Sequence, residues 1–185
     1  TTQSGMNAPF GIAYDSNNDY VVVGDASNNR VLIFDVSGGI TNGMNATYVL
    51  GQADFTSSGQ GSGQNGFIES CGVSVDTVNN WLAVADAGNS RVLEFDISGG
   101  ITNGMNASFV YGQPDYATTT SATTALGMDT PMGVLYDTVN RRLFVADTGN
   151  VRVLAFDVPT PATAPAAISD LAAVLETDLS VTLSW

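Results

Sequence analysis

The chain repeats itself with a fixed step. Asp25, Asp86 and Asp147 stand 61 residues apart, and the same step carries Gly11 to Gly72 to Gly133, Asp15 to Asp76 to Asp137, and Arg30 to Arg91 to Arg152. The 19 residues 37–55 recur at 98–116 with 14 identities, and the changes are mild, such as Thr47 to Ser108 and Phe55 to Tyr116. A period of this length means one supersecondary unit used several times, each copy burying its apolar faces on its neighbours.

Each unit reads as four short strands. The first copy has Gly11 to Asp15, Tyr20 to Gly24, Arg30 to Val36 and Ala46 to Gly51, runs of five to seven residues dominated by Val, Ile, Phe, Tyr and Thr. Turns rich in Asn, Asp and Gly separate them. No segment holds an apolar 3.6-residue period for three turns without a Gly or Pro break. Four-stranded antiparallel units at constant spacing predict an all-β fold, a partial β-propeller of three blades covering about 9–69, 70–130 and 131–158. The first two strands of each unit are apolar at nearly every position, as expected of blades packed face to face.

Residue types exclude much chemistry. The chain of 185 residues has no His and no Lys, so a Ser-His-Asp or Cys-His centre, an imidazole zinc site, a Schiff base and a P-loop lysine cannot be built from it. Eighteen acidic against five basic residues give a net charge of −13, which repels nucleic acid and anionic lipid. No run of the ~18 apolar residues needed for a membrane span occurs. Cys71 is the single cysteine; Phe10 and Met132 occupy its place in the other units, so it reads as a buried, inert thiol.

The corner Asp25-Ala-Ser-Asn28-Asn-Arg30-Val recurs as Asp86-Ala-Gly-Asn89-Ser-Arg91-Val and Asp147-Thr-Gly-Asn150-Val-Arg152-Val. This pattern, with the Gly-Gln-x-Asp-aromatic stretches at 51–55 and 112–116, resembles the NHL repeat of bacterial proteins. The resemblance implies a six-bladed ring and a secreted or cell-surface bacterial protein. On physical grounds the Asp accepts from turn amides, the Asn tolerates a left-handed backbone, and the Arg reaches a carboxylate or carbonyl of a neighbouring blade. Asp25, Arg30, Asp86, Arg91, Asp147 and Arg152 are therefore expected to be structural.

Three units do not close a ring. Residues 1–10 align with 123–132, and Asp157-Val158 runs into a Pro/Ala stretch, 159–167, in place of the Ser-Gly-Gly connection and a fourth strand. The expectation is half of a six-bladed ring whose third blade lacks its outer strand, completed by further blades in cis or by a second copy. Residues 168–185, with Val181, Leu183 and Trp185 alternating, resemble the start of a fibronectin type III domain.

Other motifs read as scaffold. Asp15-Ser-Asn17-Asn-Asp19 opens like a calcium loop, but Tyr20 stands where Gly is required, so the stretch reads as a hairpin turn, with Ca2+ the one cofactor it brings into consideration. The Gly59-Gln-Gly61-Ser-Gly63 run has neither a following helix nor a Lys to cradle phosphate. Asn45-Ala-Thr47 and Asn106-Ala-Ser108 are glycosylation sequons explained by the repeat. The informative surface is the face carrying the second-to-third turns and the long loops 53–70 and 114–131, where Phe55, Phe67 and Tyr116, with Asn28, Asn89 and Asn150, could meet a protein or carbohydrate ligand. Two function classes follow: a non-catalytic binding scaffold, favoured, or a calcium-dependent propeller enzyme similar to lactonases or lyases. No catalytic or metal residue is assigned within this chain.

Overall fold

A computed structural model describes residues 1–158 and 181–183. They form three four-stranded antiparallel sheets. The first holds β1 (Pro9–Asp15), β2 (Tyr20–Asp25), β3 (Arg30–Asp35) and β4 (Tyr48–Leu50), paired in chain order. The second repeats it with β5 (Ser70–Asp76), β6 (Trp81–Asp86), β7 (Arg91–Asp96) and β8 (Phe109–Tyr111). The third has β9 (Pro131–Asp137), β10 (Arg142–Asp147), β11 (Arg152–Asp157) and β12 (Val181–Leu183). The arrangement is an open, propeller-like stack of blades.

The third blade corrects one expectation. It does not lack an outer strand: β12 pairs antiparallel with β11, placing Val153 opposite Leu183 and Ala155 opposite Val181. An unpaired β11 edge is a row of unmet N–H and C=O groups, and a short alternating apolar segment satisfies it. The segment read as a fibronectin-like start thus contributes a blade strand at Val181–Leu183. The remainder of 168–185 and the linker 159–167 lie outside the described residues. Elsewhere the strands shift by a residue or two from expectation, with β1 starting at Pro9 and the outer strands trimmed to three residues.

Each β2–β3 type corner is a three-residue 3-10 turn that ends on a left-handed residue: Asn29, Ser90 and Val151, all near φ +52°. The left-handed position is one residue later than the Asn28, Asn89 and Asn150 series to which the sequence pattern assigned it. Those three side chains have a different task, described below.

The innermost strands explain the repeated glycine. A Cβ on Gly11 would stand 2.6 Å from the Cys71 carbonyl oxygen and 2.8 Å from the Gly72 Cα, and a Cβ on Gly72 would stand 2.5 Å from the Met132 oxygen and 3.0 Å from the Gly133 Cα. Strands β1, β5 and β9 therefore approach backbone to backbone, which only glycine permits. Between the blades lies an apolar filling of Val22, Ile33, Leu50, Val73, Leu82, Leu93 and Phe95 on one side of the middle blade. Trp81, Val92, Tyr136, Leu143, Val145 and Leu154 fill the other side. The middle blade is buried on both faces. In the first blade β2, β3 and β4 are also buried on both faces, with Val23, Leu32, Phe34 and Val49 in a cluster of their own, and the apolar exposure is confined to β1. The third blade buries the face it turns to the middle one.

Gly133 breaks the series. Its Cβ would meet only the Ala146 Cβ, at an ordinary 3.5 Å. Gly72→Ala is expected to cost about 1–3 kcal/mol through forced separation of two backbones, while Gly133→Ala stays within about 1 kcal/mol. Urea midpoints of the two variants check this, and equal losses would contradict the backbone contact.

Candidate functional site

The corner motif builds the loop face. In the middle blade Asp86 accepts from Arg91 Nε at 2.7 Å, from Asn89 Nδ2 at 2.8 Å and from the Ile68 amide at 2.7 Å. Asp25 takes the same three partners from Arg30, Asn28 and the Asn7 amide. Asp147 takes them from Arg152, Asn150 and the Asp129 amide. Asn7, Ile68 and Asp129 are themselves one period apart, so each carboxylate fixes the segment that leads into its blade.

The guanidinium completes the hub. Arg91 Nη2 donates to the Gly63 and Gly66 carbonyls of the incoming loop, and Nη1 to the Tyr116 carbonyl of the outgoing loop. Arg30 does the same with Thr2, Gly5 and Phe55. Arg152 holds Thr124 and Gly127. The carboxylate partner lies on the same blade, not on a neighbouring one; what the Arg reaches beyond its blade are loop carbonyls. The Asp25–Arg30 and Asp86–Arg91 pairs have no exposed side-chain surface, and the Asp147–Arg152 pair opens slightly at the arginine.

Burial pushes the Asp86 carboxyl up to about 6, against the pull of Arg91, Asn89 and the Ile68 amide. The loops have their own anchors. Asp54 accepts from the amides and hydroxyls of Thr56 and Ser57, and the Thr56 hydroxyl first, then these amides, lower it to about 2. Asp115 accepts from the amides of Ala117 and Thr118 and is lowered for the same reason.

The expected ligand residues separate. Phe67 is fully buried, edge to face with Phe95 at 6.1 Å, and shows no surface to a ligand. Asn28 and Asn89 are buried and turned toward their aspartates; Asn150 is half-buried with the same partner. Phe55 and Tyr116 remain half-exposed at the loops, their backbones held by Arg30 and Arg91. Asp15 caps its hairpin through the Asn17 amide and Asn18, and Cys71 is buried, its thiol pushed up by burial. Among the described residues no group of three His, Cys, Asp or Glu could hold a metal ion.

One buried carboxylate escaped the sequence reading. Glu94 stands where the other units have Ile33 and Ala155, with no exposed surface, and accepts from Tyr136 Oη at 2.6 Å and Tyr111 Oη at 2.9 Å. It ties the second blade to the third. The signal was there: an acidic residue at a strand position that is apolar in both other units. Burial raises its carboxyl, the two tyrosines lower it, and Asp76 raises it further.

Two cavities accompany these features. One of 450 Å³ lies between β8 and the third blade, lined by Val110, Tyr111, Gln113, Leu126 and Phe156 among others. A smaller one of 240 Å³ includes Asn17, Tyr20, Tyr48, Asn80 and Thr102.

No protein-family model and no curated protein matches the chain. The fold is similar to the crystal structure of the β-propeller domain of Cps50 (Swd1) from the fungus Myceliophteria thermophila, with a TM-score of 0.55 and 11 % identity. The similarity takes in 97 % of this chain and 40 % of that one.

Truncating Arg91 leaves Asp86 buried without its cation, so Arg91→Ala is expected to cost about 3–5 kcal/mol. Arg142→Ala, at an exposed pair with Asp157 4.0 Å away, should stay within about 1 kcal/mol. Thermal melts decide, and equal melting temperatures would sink the role given to the hub. Glu94 predicts a pH effect of definite sign. Its folded pKa lies above the unfolded value of about 4.3, so the associated stability is complete below that value and is lost as pH rises through the folded one. The melting temperature should fall as pH rises above about 4.3, and Glu94→Gln should shrink that fall; an unchanged difference would refute the assignment.

Proposed function

We propose that the chain is a non-catalytic, protein-binding scaffold, an arc of an NHL-type six-bladed propeller of a secreted or cell-surface protein. Further blades, in cis or from a second copy, complete the arc. The loop face, with Phe55 and Tyr116 at its half-exposed positions, takes up a protein or carbohydrate ligand on loops that the Arg hubs keep rigid.

One observation carries the scaffold reading. The first blade exposes Phe10, Ile12 and Tyr14 at 59, 72 and 55 %, whereas Cys71 and Val73, one period later, are buried at 4 and 6 %. The third blade leaves Leu135 open, whereas Ser74 is buried against it with its hydroxyl accepting from the Tyr136 amide. The two open flanks are thus the two sides of one blade-to-blade contact, and a blade bearing the same pattern supports both. Contiguous apolar faces of this kind mark protein contacts, and opposite sides of one contact join head to tail.

Light scattering across a concentration series, with dye binding as a second readout, tests this. The chain should associate as concentration rises and bind an apolar dye at its flanks. Ile12→Asp and Gly133→Val should weaken association, the latter because Gly133 is the flank counterpart of Gly72. A chain that stays monomeric and binds no dye would overturn the proposal.

A further inference from the structure

The same seven residues, Ile-Thr-Asn-Gly-Met-Asn-Ala, stand at 40–46 and at 101–107. Their local conformation is the same. Met44 N–H closes a turn on the Thr41 carbonyl and Met105 N–H on the Thr102 carbonyl, both at 3.2 Å. Each turn holds a left-handed glycine, Gly43 at φ +73° and Gly104 at φ +63°. Their surroundings differ. In the second copy Gly104 N–H donates to the Val49 carbonyl at 2.9 Å, and Asn103 Oδ1 accepts from the Val49 N–H at 3.1 Å. Asn65 Nδ2 donates to the Gly104 carbonyl, and a Cβ on Gly104 would stand 3.1 Å from the Gln52 oxygen. Ile101 and Ala107 are buried in the same cluster as Leu50 and Phe95. The first blade thus grips both the Asn103 side chain and the nitrogen that follows it.

The first copy has no blade ahead of it to do the same. Ile40, Thr41, Asn42 and Gly43 are all exposed, and a Cβ on Gly43 would meet nothing within 4 Å. Among the described residues neither the Asn42 side chain nor the Gly43 amide has a hydrogen-bond partner. The chain has a third Asn-Gly bond, Asn65-Gly66, and it is clamped. The Asn65 side chain is tied to Gly104, the Gly66 carbonyl accepts from Arg91 Nη2, and a Cβ on the buried Gly66 would stand 2.9 Å from the Gly61 backbone. Of three bonds with the same chemistry, one is open.

We infer that Asn42 is a covalent modification site, at which the folded chain deamidates spontaneously through a cyclic imide while Asn103 and Asn65 are protected. The Gly43 nitrogen gives up its proton to solvent and attacks Asn42 Cγ. The Cγ–Nδ2 bond breaks, and the side-chain nitrogen leaves as ammonia. Water then opens the five-membered imide. Cleavage of its bond to Cγ gives aspartate, and cleavage of its bond to the main-chain carbonyl carbon gives isoaspartate. One water is consumed, one ammonia is released and nothing is oxidised or reduced. Glycine favours the first step, because it has no Cβ to obstruct the swing of its nitrogen onto Cγ. At Asn103 both reacting groups are tied to Val49, so the swing requires the blade contact to open first. The product carries one more negative charge, and isoaspartate adds a methylene to the backbone. A blade ahead of the first would grip Asn42 as the first blade grips Asn103, so the modification marks an uncovered flank. It does not rest on the scaffold reading: a chain that stays monomeric is modified as well.

Incubating the full chain in mildly alkaline buffer and mapping its peptides by mass spectrometry tests this. The flanking residues tell the copies apart, since Thr47-Tyr48 follows the first and Ser108-Phe109 the second. In the folded chain Asn42 should convert at least about tenfold faster than Asn103 or Asn65, giving both aspartate and isoaspartate. In strong denaturant Asn42 and Asn103 should convert at equal rates, because their local sequence is identical. Ile101→Ala, which loosens the seat of the second copy, should speed Asn103 and leave Asn42 unchanged. Gly43→Ala should slow Asn42 alone. No conversion at Asn42, equal rates at Asn42 and Asn103 in the folded chain, or a difference that persists in denaturant would overturn the inference.

Discussion

The buried Asp–Arg pair at each blade corner is the interaction on which the rest of the architecture depends. A carboxylate and a guanidinium taken out of water are costly, and the cost is met only when every remaining lone pair and N–H finds a partner. Here the partners are the loops. Asp86 needs the Ile68 amide and Asn89; Arg91 needs the carbonyls of Gly63, Gly66 and Tyr116. Long irregular segments, which have few packing contacts of their own, are thereby ordered by the requirement to satisfy a buried charge pair. One hub binds the incoming loop, the corner and the outgoing loop, so blade order and loop shape are set by the same few atoms.

A second constraint acts near the inner edge. Gly11 and Gly72 let the innermost strands meet without side chains between them, and the blades diverge outward from that contact. The gap widens from β1, β5 and β9 toward the outer strands and is filled in turn by Val22, Leu82 and Leu93, then by Phe95 and Phe67. Phe67 comes from a loop. Its ring closes the space that a Cβ on Gly51 would enter, 2.1 Å from its Cδ2. A left-handed glycine and an aromatic 16 residues later are two halves of one packing solution.

This explains what the sequence reveals and what it conceals. The strands, corners and hubs were legible because they obey the period, and any residue present three times at one step must serve something present three times. Partners were less legible: the Arg series was plain, but that its acceptors beyond the pair are loop carbonyls depends on how the 53–70 and 114–131 loops fold back. Phe67 read as an exposed loop aromatic because its burial is decided by a neighbouring blade, not by its own surroundings in the chain. The outer strand of the third blade was missed because Val181–Leu183 breaks the period in both position and sequence, and an edge can accept any short apolar strand that reaches it.

The two copies of the Ile-Thr-Asn-Gly segment show how far neighbours, rather than sequence, determine a residue's state. Ile101 is 8 % exposed and Ile40, in identical local sequence, is 77 % exposed. The difference is the presence of a preceding blade for one and not for the other. Burial in a repeat fold therefore belongs to the interface between units, and identical segments report which interfaces are made. It follows that the distinctive chemistry of such a chain sits where a unit departs from the repeat at an interface. Glu94, buried against Tyr111 and Tyr136 in place of an aliphatic residue, gives the junction of the second and third blades a pairing that the first junction lacks. The same junction carries Leu126 in place of Asn65 in the lining of the 450 Å³ cavity beside β8. These changes cluster on one blade boundary, which makes that boundary, rather than the uniformly repeated corners, the part of the molecule where selectivity is written.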